Sequence, residues 1–372
     1  LVDSTDDVAA TLAAADVIHG FWVPEFVEAG LLKPLNQIAP EADDWEGWDH
    51  MSPGIQSILS YQGERYGVPA GTDVRQIFYR IDLFEQAGIE VPWQPTSWEE
   101  LLDTARQIKE ALPDMTPLQI DAATPMGEAT TMQGWFMVLL GAGEHMYDFD
   151  QGKWIVSSPA ILDALNLYKT TYIDEELGDA RMQLLEDARQ RSFAGFRDGQ
   201  IAMLVEGDWF WRSVLAPGSE WAIENRNDIV TWAKMPAKEP GAGYRGQDFV
   251  TISGGTGYVL NPNTEHPSEA WALLAHMFSI DGQRAWELIQ PRINARDDVP
   301  VAGDPAMTAM AEAELPYTTV RPMLAEYAQI SYEAQLMTER VVSGEMSPEE
   351  AMAAYAEAVT EIAGEDNVIV IE

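Results

Sequence analysis

The chain has 372 residues, of which 61 are acidic and 22 basic, so its formal net charge at pH 7 is −39. This negative field repels phosphate backbones and anionic lipid, which argues strongly against binding to nucleic acid or to a membrane surface. The length predicts two domains, and the absence of cysteine excludes disulfides, thiolate nucleophiles and Cys-ligated zinc. The acidic residues are spread along the chain, which is typical of a heavily solvated surface and compatible with a saline habitat.

Short β-rich segments recur along the chain between helices. In chain order the strand candidates are "ADVIHGFWV", "YGVPAG", "RQIFYR", "QIAMLVEG", "DIVTWAKMP" and "FVTISGGTGYVL". Because these strands alternate with helical segments, an α/β fold is predicted, and no internal repeat appears.

Helix boundaries are well marked. "PTSWEELLDTARQIKEAL" predicts a helix that begins with a capping box formed by Thr96 and Glu99. Ser158 is predicted to cap the next long helix. Ser347 and Glu350 open the last one, which ends at Gly364. "HPSEAWALLAHMFS" and "GQRAWELIQ" predict a helix pair.

Motifs for catalysis and cofactor binding are weak. "GAGYRG" at 241–246 fits G-x-G-x-x-G but lacks the preceding strand and following helix of a dinucleotide loop, so a flexible loop is predicted. The histidines lack metal-ligand spacing and are interpreted as isolated structural or surface residues: His19, His50, His145, His266 and His276. A carboxylate pair for glycoside hydrolysis stays open, because 61 acids make any such pair unspecific. No cofactor and no metal are expected.

Aromatic residues are more informative, since the chain has 13 tryptophans. Several stand beside glycine or polar residues, as in "VEGDWFW" at 205–211. Sugars pack their C–H faces on aromatic rings and bond their hydroxyls to polar side chains, so such clusters suit carbohydrate binding. We expect most of these rings to lie in the core all the same.

Four ordered blocks resemble the extracellular solute-binding proteins of ABC importers, closest to the sugar-binding, maltose-binding-protein-like branch. The blocks are "ADVIHGFWVPEFVEAGLLKPLNQ", "YQGERYGVPAGTDVRQIFYRIDLFEQAGIEVPWQPTSWEELLDTARQIK", "SFAGFRDGQIAMLVEGDWFW" and "AWALLAHMFSIDGQRAW". The resemblance runs from about Asp16 to the C-terminus. Family members have further strands and an export signal or lipid-anchor cysteine ahead of the "DVI" strand, so we expect lobe one to be truncated at its N-terminal part.

The resemblance implies a two-lobe periplasmic-binding-protein-like α/β fold with a ligand cleft between lobes joined by crossing strands. Lobe one would be 1–75 plus 254–305 and lobe two 76–253 plus 306–372, with crossings within "TDVRQI", at "FVTISGGTG" and near "VAGDPAM". It implies a binding protein rather than an enzyme, with a carbohydrate ligand and ABC-transporter permease subunits as partners. It further implies a monomer that is exported to the periplasm or lipid-anchored at the cell surface.

Ligand-binding residues are also implied by the resemblance, and in chain order they are Trp22, Glu25, Asp73, Arg75, Trp135, Asp208, Trp209, Gly255, Arg321 and Tyr327. Trp209 would be the stacking ring, whereas Trp211 would pack into lobe two. Structural alternatives stay open: Glu25 as an acid at a solvated helix N-terminus, Asp73 with Arg75 as a hinge ion pair, and Asp208 as a helix cap.

A neutral di- or oligosaccharide is favoured as the ligand. The first alternative keeps the same fold but has a different ligand, which would be a polyol, a sugar phosphate or a small anion. Phosphate would need clustered arginines, for which Arg75, Arg292, Arg296 and Arg321 are available. The overall negative charge opposes anion capture. A hydrolase with a carboxylate pair is the alternative from another class, and it would turn over a chromogenic glycoside.

Overall fold

The computed structural model describes residues 10, 12, 14–20 and 23–372. The chain divides into two compact units. Unit 1 comprises Leu1–Asp73, Ser253–Glu312 and Thr319–Tyr327, and unit 2 comprises Val74–Ile252, Ala313–Thr318 and Ala328–Glu372. The first two crossings fall within two residues of the sequence-based boundaries. The third crossing differs from the predicted boundary at 305, because unit 1 continues to Glu312 and also includes Thr319–Tyr327.

The described strands are two to seven residues long. They are β1 Val17–His19, β2 Ser60–Tyr61, β3 Glu64–Arg65, β4 Gly67–Thr72, β5 Arg75–Arg80, β6 Thr116–Gln119, β7 Tyr147–Asp148, β8 Lys153–Ser157, β9 Ile201–Gly207, β10 Val230–Ala233, β11 Met235–Pro236, β12 Phe249–Ser253, β13 Thr256–Leu260, β14 Ile293–Asn294, β15 Thr318–Val320 and β16 Val368–Val370.

The α-helices follow the predicted alternation with strands. They are α1 Val23–Glu28, α2 Leu35–Ile38, α3 Pro53–Ser57, α4 Ile81–Gln86, α5 Trp98–Ala111, α6 Phe136–Gly141, α7 Pro159–Lys169, α8 Ala180–Gln183, α9 Ala188–Arg197, α10 Arg226–Ile229, α11 Pro267–Met277, α12 Ile280–Glu287, α13 Pro305–Glu314, α14 Tyr327–Val342 and α15 Pro348–Ala363. Segments of π-helix occupy Thr130–Trp135, Thr170–Asp174 and Phe210–Val214. Within the described residues, no helix is both long and apolar enough to cross a bilayer.

Unit 1 is built on a four-stranded sheet in the order β1-β13-β4-β14, with antiparallel neighbours. Its main core packs Val68 and Leu260 of the sheet against Trp48, Trp271 and Phe278. The ring of Trp45 meets those of Trp48 and Trp271 edge to face, with centroids 5.0 and 5.9 Å apart. These tryptophans therefore stabilise unit 1, as expected for most of the rings.

Unit 2 is built on a mixed sheet in the order β10-β5-β9-β6, in which only the β6–β9 pair is parallel among the paired strands described. Every residue of β5 and β9 is buried, because helices or loops cover both faces of the sheet. A second sheet has the order β16-β8-β7. The register of β5 against β9 pairs Arg75 with Gly207, which places the start of one strand beside the end of the other.

The helix caps mostly follow the sequence prediction. Ser158 caps α7, Ser347 forms the capping box with Glu350, and Gly364 ends α15, so these predictions are confirmed. The capping box predicted from Thr96 and Glu99 was wrong by one residue. Because α5 begins at Trp98, the extended Ser97 is the cap and accepts a bond from the Glu100 amide, while the Glu100 carboxylate turns back to Thr96.

The helix pair predicted after "GYVLNP" is confirmed as α11 and α12. The "GAGYRG" segment is a 3₁₀ turn at Tyr244–Gly246 that is followed by strand β12 and not by a helix. The prediction of a loop is thus confirmed, since a helix N-terminus that could hold a pyrophosphate does not follow it.

Candidate functional site

Arg75 is held in a fixed position at the start of β5. Its Nε donates a 3.1 Å hydrogen bond to Gln133 Oε1, and its Nη1 donates a 2.7 Å bond to the carbonyl of Ile252. The side chain is almost fully buried, and the guanidinium carbon lies 4.9 Å from the centroid of the Trp209 ring. Because two donors are already used on protein acceptors, the guanidinium plane is oriented before any ligand arrives.

Trp209 follows β9 directly and packs against bare main chain. A Cβ atom added to Gly207 would lie 2.0 Å from the nearest atom of the Trp209 ring, so glycine is required at this position. The indole is half-buried, with the Gly207 backbone and the Arg75 guanidinium as neighbours. A half-buried ring beside a fixed charged group is an arrangement that can take the apolar face of a sugar.

Asp208 ties the end of β9 to neighbouring main chain. It is fully buried, its Oδ1 accepts from the Val74 amide at 3.3 Å, and its Oδ2 accepts from Arg212 Nε at 2.9 Å. These two bonds give Asp208 a structural role that differs from the helix cap left open for it, because one joins it to Val74 before β5 and the other to the Arg212 side chain. Trp211 is buried, and the Arg226 guanidinium lies 4.4 Å from the centroid of its ring, which confirms that this tryptophan packs into unit 2.

Trp135 ends the π-helix Thr130–Trp135 and has no exposed surface. No described residue accepts a hydrogen bond from its buried Nε1. A fully buried ring offers no face to a ligand, so this structure does not support the ligand contact predicted for Trp135. Its neighbour Gln133, which the sequence analysis did not single out, takes part in the site through Arg75.

Asp73, Gly255, Arg321 and Tyr327 belong to unit 1. Asp73 Oδ1 accepts a 2.6 Å bond from the Gly254 amide. Gly255 has a φ of +141°, and a Cβ atom there would lie 2.7 Å from the carbonyl oxygen of Gly71. Gly255 and Arg321 line one small cavity, and the Arg321 guanidinium lies 5.7 Å from the centroid of the buried Tyr327 ring. The structure therefore brings these predicted residues of unit 1 close together.

One further predicted residue of unit 1, Glu25, lies near the start of α1. Glu25 is exposed in the first turn of that helix, where an acid is favoured by the helix dipole. Trp22 lies outside the described residues.

A buried charged cluster in unit 2 was missed by the sequence analysis. The parallel register of β6 and β9 places Asp121, two residues beyond β6, next to Glu206 on β9. Glu206 accepts bonds from Arg189 at 3.0 Å and from the Gly207 amide at 3.1 Å. Neither carboxyl oxygen of Asp121 has a hydrogen-bond partner among the described residues. Burial, reinforced by the negative charge of Glu206 and opposed by Arg189, raises the pKa of Asp121 to about 8.

The cluster is adjacent to Arg75 and Gly207 along strands β5 and β9. Glu206 immediately precedes Gly207 and pairs with Gln76, the residue after Arg75. The available signal was an acid at the end of an otherwise apolar strand, in "LQID" and "MLVEG". Such a residue must be paired or neutral when it is buried.

His50 does not stand alone, which differs from the expectation of isolated histidines. Its Nδ1 lies 3.3 Å from Asp297 Oδ1 and 3.4 Å from Asp298 Oδ2. Arg296, whose side chain is fully buried, donates pairs of bonds to Asp298 and to Glu46. Since this guanidinium is committed to two carboxylates, the group is a surface ion network, and Arg296 is not available to a phosphate.

The two α/β units and their crossing segments define a two-lobe fold of the periplasmic-binding-protein class. Residues 4–284 match the family described as bacterial extracellular solute-binding proteins, and the chain belongs to that family. Both the predicted fold class and the predicted family are thereby confirmed.

Two solved structures are similar over nearly the whole chain. An ABC transporter solute-binding protein from Thermotoga lettingae TMO, bound with α-D-tagatose, is 27% identical with a TM-score of 0.79, and the match covers 96% of this chain and 88% of that one. The GacH receptor of Streptomyces glaucescens GLA.O, solved unliganded and with acarbose, is 24% identical with a TM-score of 0.78 and coverages of 97% and 89%.

Among curated relatives, a binding protein of Brucella abortus (strain 2308) is 26% identical over 283 residues. The match covers 75% of this chain and 61% of the relative, so the chain spans less than two thirds of that protein's length.

Proposed function

We propose that this protein binds a neutral carbohydrate, with a di- or oligosaccharide favoured, in the cleft between the two lobes of its fold. The observation that carries the proposal is the half-buried Trp209 ring, set on Gly207 and next to the fixed Arg75 guanidinium. The apolar C–H face of a sugar stacks on such a ring, and its hydroxyls bond to polar groups beside it. Affinity comes mainly from the ring and specificity from the polar contacts.

A neutral ligand fits the charges better than an anion. The net charge of −39 opposes the approach of a phosphate. Arg296, one of four arginines available for phosphate, is already bound by Glu46 and Asp298. A polyol keeps the stacking and hydroxyl chemistry and is the second ligand class, whereas a sugar phosphate is the third.

The proposed mechanism includes no covalent catalysis. The acidic pair that the fold brings together, Asp121 and Glu206, is buried, and Glu206 is held by Arg189. A glycoside hydrolase needs two carboxyl groups that reach the scissile bond from opposite sides. If the protein were a hydrolase of this kind, a panel of chromogenic glycosides would be turned over; we expect no turnover.

Delivery to an ABC-transporter permease completes the proposed function. The protein would be exported, act in the periplasm or from a lipid anchor at the cell surface, and work as a monomer. Ligand taken up on one lobe would favour closure by a hinge motion, and the closed form would be presented to the permease. The membership of the extracellular solute-binding family supports this part of the proposal.

The test is a thermal-shift screen over mono-, di- and oligosaccharides, polyols and sugar phosphates, followed by isothermal titration of the best ligand. We expect the melting temperature to rise with a neutral sugar and the Trp209→Ala variant to lose at least tenfold in affinity. Phe149→Ala, which removes an exposed aromatic ring from the same unit, is the matched control. The proposal fails if no sugar raises the melting temperature, and the stacking role fails if a folded Trp209→Ala variant binds like the wild type.

A further inference from the structure

Unit 1 contains a small cavity between its sheet and the α11–α12 helix pair. The cavity is lined by Ala70, Tyr258, Phe278, Gln283, Trp286 and Asn294, among others, and its free volume is about 10 Å³. This is close to the space that one water molecule or one hydroxyl group needs. None of the ten residues predicted from the sequence as ligand contacts lines it, but Arg292, one of the arginines considered for a phosphate, does.

Gln283 on α12 points a polar group into this space. Its side chain is 3% exposed, and neither its carboxamide oxygen nor its nitrogen has a hydrogen-bond partner among the described residues. Buried amides are nearly always hydrogen-bonded, so a carboxamide of this kind indicates a polar group that enters the cavity from outside the chain.

Aromatic side chains flank the carboxamide. The rings of Tyr258 and Phe278 are 5.5 Å apart, and Tyr258 also lies 4.8 Å from the ring of His19. Trp286 is 40% exposed, and the Arg292 guanidinium lies 5.2 Å from the centroid of its ring. Part of the wall is therefore an accessible aromatic surface, against which the C–H face of a sugar can pack.

The Gln283 carboxamide favours a hydroxyl group over a carboxylate or an ammonium. A carboxamide offers one acceptor and one donor group side by side, and a hydroxyl can satisfy both because it donates and accepts. A carboxylate has only acceptors and an ammonium only donors, and each would have to lose its water in a space of about 10 Å³.

We propose that this cavity is a carbohydrate subsite of unit 1, in which Gln283 binds a hydroxyl or hydroxymethyl group of a sugar whose ring packs on Trp286. The inference rests on the proposed carbohydrate-binding function and adds a specific contact to it.

The experiment compares the full chain with its Gln283→Met variant, in which the side-chain length is kept and the carboxamide is lost. The probes are maltose, lactose, D-tagatose and D-mannitol, each titrated by calorimetry into both proteins. We expect a loss of at least tenfold in affinity for the probe that the wild type binds most tightly. Gln37→Met makes the same chemical change at an exposed position of unit 1 and should leave the affinity unchanged.

The melting temperature of the unliganded variants provides a second readout. Replacing an unpartnered buried amide by an apolar group of the same shape is close to neutral or stabilising, so Gln283→Met should melt at or above the wild-type temperature. A lower melting temperature together with unchanged affinity assigns Gln283 a purely structural role and overturns the subsite.

A crystal structure of the sugar complex decides the occupant of the cavity. A sugar oxygen within hydrogen-bond distance of the Gln283 carboxamide supports the proposal, and a water molecule that stays there in the complex overturns it. If the wild type binds a probe, Trp209→Ala weakens it and Gln283→Met does not, only the subsite fails. If the wild type binds no probe, the proposed carbohydrate function fails and the subsite with it.

Discussion

The guanidinium of Arg75 lies 4.9 Å from the centroid of the Trp209 ring, although 134 positions separate the two residues in the sequence. The contact arises because β5 and β9 are antiparallel neighbours in which Arg75 pairs with Gly207, two residues before the tryptophan. The ring at the end of one strand thereby reaches the charged residue at the start of the other. This pair is the centre of the proposed sugar site.

The first prediction concerns the glycine under the ring. Gly207→Ala would place a Cβ atom 2.0 Å from the Trp209 ring, so the indole must move. We expect at least a tenfold loss of sugar affinity by calorimetry and a destabilisation of about 1–3 kcal/mol in urea unfolding. The control is Gly54→Ala in α3, where the nearest atom to an added Cβ would be Ser52 Oγ at 4.0 Å, and stability should stay the same or rise. Wild-type affinity in Gly207→Ala would show that the ring position does not matter for binding.

The second prediction concerns the orientation of Arg75. Lysine keeps the charge but cannot bond Gln133 and the Ile252 carbonyl with one planar fork, so Arg75→Lys should lose the fixed geometry over Trp209. We expect about a tenfold weaker sugar affinity and a changed tryptophan fluorescence spectrum. Arg191→Lys, at an exposed ion pair with Asp187, is the control and should change neither. Equal affinity in Arg75→Lys and wild type would mean that charge alone, and not orientation, is required.

The third prediction is a dependence of stability on pH. The folded pKa of Asp121 is raised to about 8, mainly by burial and then by Glu206. Between the unfolded pKa of about 4 and this value, the folded state holds a proton that the unfolded state has released. The free energy of unfolding therefore falls as pH rises through this window.

Asp121→Asn should remove that slope, so the difference in stability between variant and wild type grows from about pH 4 to pH 8. Urea unfolding at a series of pH values measures it. Asp187→Asn, which alters an exposed carboxylate paired with Arg191, should leave the slope as in the wild type. Parallel pH profiles for Asp121→Asn and wild type would contradict a carboxyl group that is neutral when folded.

The fourth prediction separates stability from ligand binding. Arg296 is fully buried between Glu46 and Asp298, of which Asp298 is the less exposed. Arg296→Met leaves both carboxylates without their partner, and we expect a destabilisation of about 2–3 kcal/mol, lessened by the exposure of Glu46. Sugar affinity should remain that of the wild type. A large loss of affinity for a sugar phosphate, with neutral sugars unaffected, would instead place Arg296 in a phosphate site.

Local sequence patterns were sufficient to predict those structural features whose contacts join residues close in sequence. Ser158 and Ser347 bond amides three residues away, so their roles as helix caps follow from composition and spacing. The displaced cap at Thr96 shows the limit of this reasoning. Thr96 and Ser97 can both cap a helix, and only the place where α5 starts to pack decides between them.

Trp135 shows a second limit of prediction from local sequence patterns. A tryptophan after a glycine in a polar segment has the same pattern whether its ring faces a ligand or the core. The π-helix that ends at Trp135 directs the ring into the interior of unit 2, and that outcome depends on residues packed around it from elsewhere in the chain.

The family, the order of strands and helices, and the separation of Trp209 from the buried Trp211 were all predictable from the sequence, and the preference for an uncharged ligand stays a prediction made from it. These follow from ordered motifs, spacing and net charge, which are all readable along one chain. Three contacts could be seen only in the folded chain: Arg75 lies over Trp209, Gln133 accepts a bond from Arg75, and Asp121 lies beside Glu206. Each of these contacts depends on strand register and helix packing between residues distant in sequence, and register is set by the burial of whole faces and not by any local pattern.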